Sequence, residues 1–274
     1  MNQPMKSLPF FIPVLTTEAG NCLTMANWQE IGIQAVSCYL ESLLLKPGIS
    51  LLENLLNLKS YIPWQGFLIL NAALRLANKQ GDYVIRSPFD GSILRIAKED
   101  IYSLIEKLQP DAVILPSDFD ARRLASLAKA TKTFVVPEIN SDEHFGWYLS
   151  YEQSTSFTAL QTKIERYNTK PIYLTGDFDL EQLKALAQYE SLMVESNLPS
   201  QLAFSGKVYG GGEVLDLLAE EMTHQHVVID SNCGCPTCQQ QFTRAYLHHL
   251  INHTPLLCQR FLIQHNGYYC QNYS

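Results

Sequence analysis

The sequence predicts an α/β protein: a (β/α)8 barrel followed by a small, separately built C-terminal segment. Three observations lead there. Short β-rich runs alternate with segments of helical period along most of the chain. A length of 274 residues, 46% of them hydrophobic, suits one barrel-sized core. The alternation stops after residue 230, where three cysteines fall close together.

Eight runs carry the barrel expectation: residues 34–38, 67–70, 111–115, 133–136, 171–174, 191–194, 207–209 and 226–229. Between them apolar residues recur at helical spacing, as in 179–188 with Leu180, Leu183 and Leu186, and 213–222 with Val214, Leu217 and Leu218. Strands separated by helices pair in parallel through right-handed crossovers. Eight of them suggest a barrel; an open doubly wound sheet is the alternative. Residues 10–15 read as an extra strand ahead of the barrel, and 83–86 with 93–96 flank the hairpin turn Asp90-Gly91. After the last run come a cysteine knuckle and a helix from about Gln240 to Ile251. The expected organisation is a barrel over 1–230 and a knuckle with helices packed on it over 231–274.

The formal net charge is -7, which argues against reliance on bulk phosphate contacts and leaves any nucleic-acid contact to a local patch. A charged fraction of 17% is low for a solvated monomer and points to a partner or an oligomer. No run of about 18 apolar residues occurs, so no membrane span is expected. Residues 1–9 lack the basic-then-apolar order of a secretory signal. Seven cysteines, three of them clustered, suit metal better than disulfides. Reduced thiols and a cytoplasmic location follow.

Cys233-Gly234-Cys235-Pro236-Thr237-Cys238 sets three thiolates on a tight turn. Zinc takes four soft or borderline ligands tetrahedrally, and a closed four-ligand site is structural. Gly234 and Pro236 allow the sharp turning that aims three sulfurs at one point. A redox pair of Cys235 and Cys238 would leave Cys233 unexplained. The fourth ligand lies downstream: His248 or His249 on the helix, His253 just after it, or His265 beyond a second apolar stretch.

The cysteine run, then Thr243-Arg244-Ala245-Tyr246-Leu247-His248-His249-Leu250, then His265-Asn266, resembles the C-terminal zinc region of the tRNA-guanine transglycosylases (queuine tRNA-ribosyltransferases). Similar stretches extend upstream: Ile12-Pro13-Val14, Gly32-Ile33-Gln34, Trp64-Gln65-Gly66, Arg86-Ser87-Pro88-Phe89-Asp90-Gly91-Ser92 and Gly210-Gly211-Gly212. The resemblance implies a (β/α)8 barrel with structural zinc held by Cys233, Cys235, Cys238 and His265. It also implies a reaction in which a carboxylate attacks C1′ of a guanosine in tRNA, or in DNA, and a 7-deazaguanine replaces the guanine. A homodimer or heterodimer formed near the zinc region is implied as well.

Val227-Val228-Ile229-Asp230-Ser231 resembles the family's last strand, whose terminal aspartate attacks the ribose, so Asp230 is the expected nucleophile. The competing reading is an aspartate capping the turn into the knuckle, because a basic stretch that separates the two in the family is missing. Asn71-Ala72-Ala73-Leu74 stands where the family has an aspartate-serine-glycine-glycine run. Asparagine can hydrogen-bond a base but cannot shuttle a proton near neutral pH. Substrate binding is expected of Asn71, Asp118, Thr175, Gly176 and Gly211. In a barrel, chemistry sits where strands end. Asp118, Glu138, Asp177 and Glu195 are therefore candidates for a substitute acid or base, with His144 and His226 also available. Arg86 and Asp90 are expected to pair within their turn, with a phosphate contact also open to Arg86. Arg244, Tyr246, His248 and His249 share part of a helix face on which the resemblance implies a partner, the alternative being that Tyr246 and Leu247 pack the knuckle while Arg244 stays exposed. Three functions are compatible: a divergent base-exchanging pentosyltransferase, a non-catalytic partner subunit, and an enzyme cleaving free modified nucleosides.

Overall fold

The computed structural model describes residues 8–139 and 142–273; the first seven residues of the signal reading lie outside them. The strands are β1 (Phe11–Ile12), β2 (Ala35–Tyr39), β3 (Phe67–Asn71), β4 (Asp82–Arg86), β5 (Ile93–Ala97), β6 (Ala112–Ile114), β7 (Lys132–Val135), β8 (Gly146–Ser150), β9 (Ile172–Thr175), β10 (Leu192–Glu195), β11 (Lys207–Gly210) and β12 (Glu213–Asp216). Eight of them follow the order β1-β10-β9-β8-β7-β6-β3-β2, while β4-β5 and β11-β12 are separate two-stranded sheets. Strands in chain order, the first beside the last, give the (β/α)8 barrel fold that the alternation predicts.

The chain divides into two compact units. One comprises residues 35–150 and 158–174. Its strands pair in parallel, with Ala35 opposite Phe67, Ile69 opposite Ala112, Ala112 opposite Lys132 and Phe134 opposite Gly146. Strands buried on both faces read as unbroken apolar runs, and β6 (Ala112, Val113, Ile114) is such a run, wholly buried. The antiparallel β4–β5 hairpin alternates instead: Tyr83 and Ile85 point inward, Val84 and Arg86 outward. Gly91, at φ +71°, supplies the backbone conformation its turn needs.

The other unit takes residues up to Gln34, 151–157 and those from Thr175 onward. In it β1 pairs with β10, Phe11 opposite Val194 and Ile12 opposite Glu195. The Leu180–Leu186 helix forms as its period predicts, opened by an Asp179–Gln182 capping box and burying Leu180, Leu183 and Leu186. The Met25–Glu30 helix meets the long Pro255–Tyr273 helix. There Gln264 donates to Glu30 at 2.9 Å. At Gly267 an added Cβ would stand 2.8 Å from Ile31 Cδ1 and 3.2 Å from the Trp28 ring.

Three local expectations are corrected. Residues 10–15 hold no extra strand, because Phe11–Ile12 is the sheet strand beside β10. The run at 207–209 lies in the antiparallel β11–β12 hairpin, so residues 213–216 are strand, and a 3-10 turn follows at Glu220–His224. Gly211 and Gly212, at φ +63° and +89°, turn the chain back at that point. Residues 226–229 form no strand beyond a single bridge, Val228 to Thr243. The carbonyls of Gln225 and Val227 instead accept from Ala245 N and Arg244 N, at the start of the Arg244–His253 helix. A strand the sequence reading missed, β8, completes the eight. Among the described residues no helix is long and apolar enough to cross a membrane.

Candidate metal centre and strand-end carboxylates

Cys233, Cys235, Cys238 and His265 converge, all buried, with their ligand atoms within 4.8 Å of one another. Cys235 opens the short Pro236–Gln239 helix and its sulfur accepts from Cys238 N. The distances from His265 Nδ1 to the three sulfurs are 3.7, 3.3 and 3.5 Å. A tetrahedral ion with metal–sulfur and metal–nitrogen bonds of roughly 2.3 and 2.05 Å needs a sulfur–nitrogen edge of about 3.5 Å, so the four residues can hold a metal ion. His265 Nε2 lies 2.6 Å from the Tyr209 carbonyl. Donation there leaves the Nδ1 lone pair facing the sulfurs, the second-shell arrangement that fixes a ligating ring. Crowding splits the thiols. Contact with Cys233 and Cys238 raises the Cys235 pKa, while contact with Cys233 and Cys235, and with His265, lowers that of Cys238.

Glu195 ends β10 and is 1% exposed. A carboxylate buried to that degree is costly unless its surroundings are built for it, and such groups gather at functional sites. Gly176 N donates to the Glu195 carbonyl at 3.2 Å, so the predicted Thr175-Gly176 turn does adjoin this strand end. Gly176 is needed for space, since a Cβ there would lie 3.0 Å from both Phe178 and Tyr151, whose rings stack at 5.2 Å. Asn197, two residues past Glu195, accepts from Thr17 Oγ1 at 2.9 Å.

Asp230 ends no strand, contrary to expectation. Its Oδ1 accepts from Asn232 N at 2.8 Å and its Oδ2 from Gly211 N at 3.4 Å, while its carbonyl accepts from Cys233 N. Asp230 and Gly211 are thus brought together, in a turn leading into the knuckle. Arg244 holds that segment from behind. Its guanidinium donates to Val228 O at 3.2 Å, Gln225 Oε1 at 2.8 Å and Ile229 O at 2.8 Å. Arg244 is therefore a half-buried clamp rather than an exposed charge, and Tyr246 is the exposed neighbour while Leu247 is buried. Sequence reading missed this because it depends on where the chain returns.

In the other unit Asn71 ends β3, and its Oδ1 accepts from Ala73 N at 3.1 Å. Asp118 pairs with Lys98 at 2.8 Å and accepts from Tyr83 OH at 2.7 Å and Ala77 N at 3.3 Å. Burial alone would raise its pKa, but Lys98 and Tyr83 outweigh burial and lower it. Glu138 is exposed, as is Asp177 in the first-described site's unit. His144 is buried, with Lys170 Nζ 3.3 Å from its Nε2. Asp90 is held by Ser92 rather than Arg86, and hydrogen bonds from Ser87 and Ser92 lower its pKa to about 2.

A family profile described as queuine tRNA-ribosyltransferase matches residues 146–274. The chain is 24% identical over 307 aligned positions to a queuine tRNA-ribosyltransferase of Thermotoga petrophila, covering 94% of this chain and 83% of that one. It is 25% identical over 322 positions to one of Nitrosomonas eutropha, covering 97% and 87%. Against one of Synechococcus sp. identity rises to 37% over 97 residues, 35% of this chain and 26% of the other.

Proposed function

We propose, for a chain that is a divergent member of the queuine tRNA-ribosyltransferase family, that it exchanges a guanine-type base for a 7-deazaguanine in tRNA with Glu195 as nucleophile. One observation carries the assignment: Glu195 is the buried carboxylate at the end of β10, the last strand in chain order of the parallel sheet. The resemblance put the attacking carboxylate at the end of the last strand, and Asp230 ends none.

In the first step a Glu195 oxygen bonds to C1′, the C1′–N9 bond breaks, and guanine leaves with the bonding pair and takes up a proton. In the second step N9 of the incoming base displaces Glu195 from C1′ and gives up its proton, so protons balance over the cycle. Zinc at Cys233, Cys235, Cys238 and His265 is structural, since four protein ligands close its shell. Reduced thiols suit a cytoplasmic site of action.

Incorporation of labelled guanine and of a 7-deazaguanine into mixed tRNA, duplex DNA and free nucleosides tests the reading, with Glu195→Gln and Asp230→Asn beside the parent. Turnover lost in Glu195→Gln and kept in Asp230→Asn supports it; the reverse returns the role to Asp230. A second reading, a non-catalytic partner subunit, is favoured by Asn71 in place of a carboxylate and by Asp118 being occupied by Lys98 and Tyr83. No turnover by the parent, with stable association with an active transglycosylase, would select it.

A further inference from the structure

We infer that Asn266 is a positioning residue through which the metal cluster sets the backbone beside Glu195; the inference rests on Glu195 being the attacking group. His265 and Asn266 are neighbours on the Pro255–Tyr273 helix, each 0% exposed. While His265 faces the sulfurs and the Tyr209 carbonyl, Asn266 uses its whole amide. Its Oδ1 accepts from Tyr209 N at 3.1 Å, and its Nδ2 donates to Lys207 O at 3.1 Å and Pro199 O at 2.9 Å. Both backbone groups of Tyr209 are therefore held by two adjacent side chains, one of them a ligand.

Pro199 sits in the first turn of the Leu198–Phe204 helix, which leaves β10 directly after Glu195. The far end of that helix is held by the same long helix, through Gln259 Nε2 to Phe204 O at 2.7 Å. Between Glu195 and Pro199 the chain is also tied through Ser196 N to Ile12 O at 3.4 Å, Leu198 N to Ser196 Oγ at 3.4 Å, Gln201 N to Asn197 O at 2.9 Å, and Thr17 to Asn197, contacts that are long, internal to the start of the helix, or made to another loop. An amide with both N–H groups and its oxygen spent on two backbone segments, β11 and the start of the Leu198–Phe204 helix, is a poor choice for packing alone and a good one for fixing their spacing. Displacement of a reacting group by about 1 Å can cost on the order of 100-fold in rate.

The test is Asn266→Asp in the metal-loaded full chain, which replaces the donating amide nitrogen by a carboxylate oxygen and touches no ligand. Metal content is expected to match the parent. Amide hydrogen exchange should quicken at least about tenfold over residues 196–201 and 207–210 and stay unchanged over 67–71. In base exchange kcat should fall at least about tenfold with KM for the base unchanged, a split that general loosening would not give. Parent-like exchange at 196–201 overturns the inference whatever the activity. If exchange rises as expected but the parent itself shows no turnover, the coupling stands and the Glu195 reading fails. Should Asn266→Asp not fold, metal removal by chelation from the unaltered protein, and Cys235→Ser beside it, carry the test. Exchange at 196–201 must then rise in step with metal loss, and an unchanged rate overturns the inference.

Discussion

Arg244→Ala removes three hydrogen bonds from a charged donor to the strap that runs from residue 225 to Asp230. Each bond of this kind is worth about 1.5–3 kcal/mol. One guanidinium makes all three and is half-buried, so water partly replaces it and the terms do not add. A net loss of about 3 kcal/mol is expected, a large share of the roughly 5–15 kcal/mol that holds a typical domain folded. In a chain of this size that corresponds to roughly 6–12 °C in melting temperature. Arg244→Lys should recover little of it, because one ammonium cannot span three acceptors set in a fork. Thermal and urea unfolding followed by circular dichroism provide the assay, with metal content measured on each variant. A change under about 0.5 kcal/mol in Arg244→Ala would refute the clamp and return Arg244 to an ordinary surface charge.

Two further outcomes are expected. Gly146→Ala should destabilise by about 1–3 kcal/mol in urea unfolding, because its Cβ would press on the Pro171 carbonyl and stand 2.7 Å from the Phe134 ring; parent-like stability would mean the strand gives way easily. Asp118 has a pKa below its ordinary 3.8 in the folded chain. Its contribution is thus complete above that value and lost as the pH falls through the lowered one. Urea midpoints at about pH 5 and pH 3 should therefore converge for the parent and Asp118→Asn. A gap that persists undiminished at the acid end would exclude the ion pair as its cause.

The metal ligands were legible because three of them are local, and their spacing alone aims them at one point. His265 needed the resemblance, since four downstream histidines satisfied the same spacing argument. The barrel was legible from alternation, but β8 was not, and β1 was read as a strand ahead of the barrel rather than within it. Among the described residues no helix separates β7 from β8, so a reading that expects strand, helix, strand passes over residues 146–150. The run at 226–229 has strand composition, yet its backbone is taken by the start of a helix that composition does not reveal. Glu195 was visible as one carboxylate among several. Its standing as the end of the last strand depends on β10 lying beside β1, a pairing between residues about 180 apart that no local pattern encodes.

The contact between the Met25–Glu30 helix and residues 264–267 also bears on synthesis. Glu30 waits for Gln264, 234 positions later, and Trp28 and Ile31 wait for Gly267. At about 5–20 residues per second the ribosome needs roughly 12–47 s to supply them. Throughout that interval Trp28 and Ile31, both buried in the finished fold, lack their final cover. Residues 35–150 and 158–174, by contrast, have most of their partners early. The emerging chain is expected to trail an apolar leading segment, which makes it a natural client for a holding chaperone until its final helix is made.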